Sequence, residues 1–61
     1  MTIKELARKI YPLLMIKIYD RNGYHLIEAR KAGDIHFDDD SFYQVEIKDF
    51  TIYENFVEVL I

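Results

Sequence analysis

The chain has no cysteine and no tryptophan, one proline and two glycines in 61 residues. Without cysteine there are no disulfide staples and no thiolate metal sites. The isolated Gly23 and Gly33 cannot form a phosphate-cradling loop, so nucleotide hydrolysis has no support. No apolar run approaches the roughly 20 residues that span a bilayer, and the opening Met1-Thr2-Ile3-Lys4-Glu5 lacks a signal peptide's apolar region. A cytoplasmic location without membrane contact is therefore expected. Positive charge is also scarce: 8 basic residues against 11 acidic ones give a net charge of −3, which opposes attraction to nucleic acid.

Aromatic rings, by contrast, are plentiful. Five Tyr and four Phe make up 15% of the chain, more than a small core can enclose. A domain of this length buries only roughly 60% of its unfolded surface, so some rings must reach solvent. Residues 1–61 read as a single domain, and self-association, as a homodimer, is the expected support for so small a core.

Two β-like runs flank Asp20-Arg21-Asn22-Gly23 within Leu13 to Ala29, and Asn-Gly between such runs signals a hairpin. A two-residue loop at Asn22-Gly23 pairs Arg21 with Tyr24, Tyr19 with Leu26, Ile18 with Ile27, Lys17 with Glu28 and Ile16 with Ala29. Leu14, Ile16, Ile18, Ile27 and Ala29 then share an apolar face. A longer loop with Gly23 in a left-handed bulge would instead pair Ile18 with Leu26. Upstream, Thr2 and Glu5 have capping-box spacing, and Ile3, Leu6, Ala7 and Ile10 recur at helical intervals, predicting a helix over Thr2–Tyr11 that Pro12 stops.

Downstream, Ile35–Phe37 reads as a short edge strand before the turn-forming run Asp38-Asp39-Asp40-Ser41. Tyr43, Val45 and Ile47 alternate with polar residues as a strand does, and a change of parity near Asp49 predicts a bulge or bend. A second hairpin turning at Glu54-Asn55 pairs Ile52 with Val57, Thr51 with Glu58 and Phe50 with Val59. The apolar ending Val57–Ile61 should be paired in the sheet or held at a subunit interface. The expected fold is α+β: one N-terminal helix packed on a four- to five-stranded, mostly antiparallel sheet built from two hairpins.

Chemistry has few candidates. On a strand, Asp34, His36 and Asp38 would share a face and offer donors suited to zinc or manganese, yet neighbours there lie roughly 6.5 Å apart and need help from another element to converge on one ion. Ser41 with His36 and an Asp has the residue types of a triad within one short stretch, where a nucleophile's partners must come from elsewhere. No catalytic residue, cofactor or metal is expected. Lys4, Arg8, Lys9, Arg30 and Lys31 are the only basis for a nucleic-acid site, and a solvated helix face accounts for the first three. The strongest feature is the second face of the sheet, where Tyr19, Tyr24 and Leu26 of one hairpin join Tyr53, Phe56 and Leu60 of the other as a protein-binding surface, for another protein or for a second copy of the chain.

In length, acidity and lack of cysteine the chain resembles the small single-domain proteins encoded by bacteriophages and mobile elements. Many anti-CRISPR inhibitors are among these, and they act by covering a surface of a host protein. The resemblance is one of overall plan and carries no residue roles with it. It implies a non-enzymatic protein-binding module, an inhibitor or adaptor; the basic helix face supports the alternative, a nucleic-acid-associated regulator.

Overall fold

The computed structural model describes residues 1–61. Helix α1 spans Ile3–Lys9 and starts where Thr2 and Glu5 cap each other: the Thr2 hydroxyl accepts from Glu5 N–H at 3.0 Å, and the Glu5 carboxylate accepts from Thr2 N–H at 2.9 Å. Those bonds hold the Glu5 carboxyl below its usual range. The helix is shorter than predicted. Ile10 is already extended, one residue ahead of Tyr11, the position that Pro12 itself bars from helical geometry.

Strand β1, Met15–Asp20, and strand β2, His25–Lys31, form an antiparallel pair. Near the turn Tyr19 is opposite Leu26 as predicted and Asp20 is opposite His25, but residues 21–24 form a four-residue turn. The two-residue loop and its Arg21–Tyr24 pair are thus not made, and Arg21 N–H donates to the Ile61 carbonyl instead. A bulge then shifts the register by one residue, so that Ile18 faces Glu28, Lys17 faces Ala29 and Ile16 faces Arg30. The predicted Lys17–Glu28 and Ile18–Ile27 pairs are therefore not made. Ile27 and Ala29 are exposed, and Glu28 and Arg30 take the side that Ile16 and Ile18 occupy.

The next stretch also departs from prediction. Ala32–His36 is a one-turn helix, α2, where an edge strand was expected, and Ser41–Gln44 is a 3-10 helix capped by the Asp40 carboxylate. Gly33 permits this packing: its N–H donates to the Pro12 carbonyl at 2.8 Å, and a Cβ there would stand 3.2 Å from that oxygen. Strands β3, Asp49–Ile52, and β4, Phe56–Leu60, keep the predicted register, Ile52 opposite Val57, Thr51 opposite Glu58 and Phe50 opposite Val59. The chain bends at Lys48, whose N–H reaches the Leu60 carbonyl at 2.7 Å although Asp49 is the residue opposite Leu60.

The sheet has four strands in the order β2-β1-β4-β3, and its central pair, β1 and β4, runs parallel. It is thus mixed, and the expectation of a mostly antiparallel sheet assembled from two hairpins is corrected. The reason is non-local: after α2 the chain crosses to the far edge, lays down β3 there and returns as β4 beside β1. The C-terminal strand consequently has neighbours on both sides and offers no free edge. Ile61 N–H continues the pairing to Tyr19 O at 3.0 Å.

Ile16, Ile18, Val57 and Val59 from the two central strands are fully buried against Ile3, Leu6 and Ala7 of α1, Ala32 and Ile35 of α2, and Tyr43. Each large aliphatic side chain so enclosed contributes roughly 1.5–3 kcal/mol. Both helices lie on this face, and the other face is bare.

Candidate functional site

Period-two alternation that buries Ile16, Ile18, Val57 and Val59 sends Met15, Lys17 and Tyr19 of β1, and Phe56, Glu58 and Leu60 of β4, to the uncovered face. Parallel pairing sets Met15 beside Phe56, Lys17 beside Glu58 and Tyr19 beside Leu60. Leu26 lies opposite Tyr19 from β2, and Thr51 and Asp49 complete the face from β3. Tyr19, Tyr24, Leu26, Tyr53, Phe56 and Leu60 are thereby gathered on one side of the sheet.

The rings fall into two groups. At one end the Tyr19 and Tyr24 rings meet edge to face with centroids 4.9 Å apart. At the other, Tyr53 stacks on Phe56 at 4.7 Å, and Lys17 Nζ rests 4.1 Å from the Phe56 centroid. Glu58 links the groups by accepting a hydrogen bond from the Tyr24 hydroxyl, which pushes that hydroxyl's pKa up to about 12. Lys17 and Glu58 were not among the residues singled out from sequence. Their parity with Tyr19 and Leu60 is the available signal, but the bulge in β2 and the parallel neighbour β4, which set Lys17 beside Glu58 rather than Glu28, have no local signature.

Tyr24 holds its place at φ +57°, in the left-handed region where a bulky residue is strained. It follows Gly23 at φ +94°, which adopts that region without penalty. The Tyr19 contact and the Glu58 bond are what hold the strained residue.

On the helix side of β2 a second cluster is partly buried. Tyr43 donates its hydroxyl proton to Glu28 at 2.7 Å and accepts from Arg30 at 2.8 Å, while Arg30 also donates to Asp38 at 2.7 Å. Burial, then the bond to Glu28, raises the Tyr43 hydroxyl's pKa, and Arg30 holds the Asp38 carboxyl low. Lys4, expected on a solvated helix face, is instead buried and donates to the Asp38 carbonyl at 2.8 Å. Each ionic group in this cluster has a protein partner, so it fastens the loop after α2 to the sheet edge and to α1.

The remaining candidates are dispersed. Asp34 and His36 lie on α2, and the His36 ring stacks on Phe37 at 4.5 Å while Asp38 turns to Arg30. Ser41 opens the 3-10 helix. Of the five basic residues considered for nucleic acid, Lys4 and Arg30 are taken up internally, and Arg8, Lys9 and Lys31 stay exposed.

No protein-family model, curated protein or solved structure matches the chain.

Proposed function

We propose that this chain is a non-enzymatic protein-binding module, of inhibitor or adaptor type and acting in the cytoplasm, that meets its partner with the bare aromatic face of the sheet. The observation that carries the reading is Tyr24. A tyrosine stands in the left-handed region, where glycine would be unstrained, and the ring it carries lies on the face. Leu26 near it and Tyr53 at the other end of the face are exposed, and Lys17 and Glu58 between the ring groups provide charges of both signs. A flat apolar surface with aromatic anchors and interspersed charge suits a protein partner. The nucleic-acid alternative is weakened by the internal use of Lys4 and Arg30.

The test is affinity capture from a bacterial lysate with the wild-type chain beside Leu26→Asp and Tyr53→Asp. Both residues are exposed, so the fold should survive either change. A protein retained by the wild type and released by both variants, with unaltered circular dichroism, is the expected result. Retention indifferent to both substitutions would sink the reading.

A further inference from the structure

The helical layer stops short of β3. Phe50 and Ile52 share the side of the sheet on which Val59 and Val57 are fully buried, yet they remain 38% and 60% exposed. They also border an open edge. Tyr53 N–H donates to Phe56 O at 2.8 Å, so by antiparallel alternation the backbone of Thr51 turns toward β4 and that of Phe50 and Ile52 turns outward. Phe50 N–H accordingly has no strand partner and donates to the Asp49 carboxylate at 2.8 Å. The other edge differs: β2 carries the bulge, a device that discourages pairing.

We infer that two copies of this chain pair antiparallel along β3 about a two-fold axis through Thr51, joining their sheets into one of eight strands. The order Lys48-Asp49-Phe50-Thr51-Ile52-Tyr53-Glu54 is complementary to itself about its centre. In that register Phe50 of one copy faces Ile52 of the other, and these are the residues whose backbone groups point outward, so each such pair exchanges two hydrogen bonds. The uncovered apolar side chains then cover one another across the axis. Asp49 comes opposite a tyrosine rather than another carboxylate, and Lys48 and Glu54, which flank the strand, bring opposite charges together at both ends of the pairing. A shift of two residues in the sum would lose that charge match. The bare aromatic face stays free, so the inference stands apart from the function proposed above. An edge of four residues is far smaller than a standard interface, which places the dimer in the weak, concentration-dependent class.

Because the chain lacks cysteine, a single introduced thiol reports the register. Thr51 meets its own copy in a pair without backbone hydrogen bonds, where Cα atoms lie about 4.5 Å apart, within disulfide range. Thr51→Cys should cross-link under mild oxidation roughly tenfold or more faster than Ala29→Cys on β2 or Lys17→Cys on the bare face, since only its thiol is held beside a copy of itself. Amide exchange at Phe50 and Ile52 of the wild type should slow as concentration rises. K48E and E54K should each weaken association roughly threefold at low salt, and the double swap should restore it. A chain that stays monomeric to about 1 mM, a control thiol that cross-links as fast as Thr51→Cys, or a double swap that fails to restore association would overturn the inference.

Discussion

Lys17 Nζ stands 4.1 Å from the centroid of the Phe56 ring, and the parallel course of β1 and β4 is what brings these distant residues together. The contact is partly open to water, where a cation over a ring contributes about 0.5–1 kcal/mol. Lys17→Gln should therefore lower stability by about that amount in urea denaturation. On a Phe56→Leu background the same change should cost almost nothing, because the ring that received the charge is gone. Equal costs in both backgrounds would mean that Lys17 acts elsewhere.

Tyr43 is the hub on the opposite side. Its hydroxyl is both donor to Glu28 and acceptor from Arg30 in a partly buried setting, so Tyr43→Phe leaves two charged groups short of a partner. The expected loss is about 1–3 kcal/mol. Tyr24→Phe removes a single bond at an exposed site and should cost less. Chemical denaturation of the two variants in parallel would reveal the order, and a reversed order would contradict the assignment of Tyr43 as the hub.

Acid should unfasten the loop after α2. The Asp38 carboxyl is held below its ordinary 3.8, chiefly by the Arg30 hydrogen bond, so the unfolded chain takes up this proton more readily than the folded one. The stabilisation is therefore complete above 3.8 and disappears as pH falls through the lower folded value. Glu5, held below its ordinary 4.5 by the Thr2 cap, acts in the same direction. Asp38→Asn should be less stable than the wild type at neutral pH, with the gap closing on acidification. A gap that is constant with pH would detach Asp38 from the acid response.

The elements governed by local stereochemistry were legible in the sequence. The Thr2–Glu5 cap, the stop before Pro12 and the β3–β4 register follow from neighbours and alternation. The parallel β1–β4 pair was not, since period two is the same in a parallel or an antiparallel neighbour and this contact joins segments far apart in the sequence. Glu28 and Arg30 lean toward the helix side only because Tyr43 and Asp38 wait there, and no local pattern announces distant partners. Tyr43, Val45 and Ile47 alternate as a strand would, yet Asp40 caps a 3-10 turn that takes Tyr43 into the core. The aromatic face was readable because parity alone places Tyr19, Phe56 and Leu60 opposite the buried residues. How its rings group required the parallel register.

The turn between β1 and β2 offers the sharpest check on that face, because two successive residues there are left-handed. At Gly23 any side chain is adverse: φ is +94°, and a Cβ would stand 2.9 Å from Nε2 of His25. Gly23→Val should cost about 1–2 kcal/mol or more from the backbone alone. Tyr24 reverses the usual expectation for glycine. Tyr24→Ala keeps the strained backbone and loses the Tyr19 contact and the Glu58 bond, whereas Tyr24→Gly loses the same contacts but relieves strain of roughly 1–2 kcal/mol. The glycine variant should therefore unfold at a higher denaturant concentration than the alanine variant, although glycine ordinarily weakens a chain by raising the entropy of its unfolded state. Both should lose a partner that depends on the ring. If alanine proves the more stable of the two, Tyr24 does not hold its left-handed conformation in solution, and the observation that carries the proposed function falls with it.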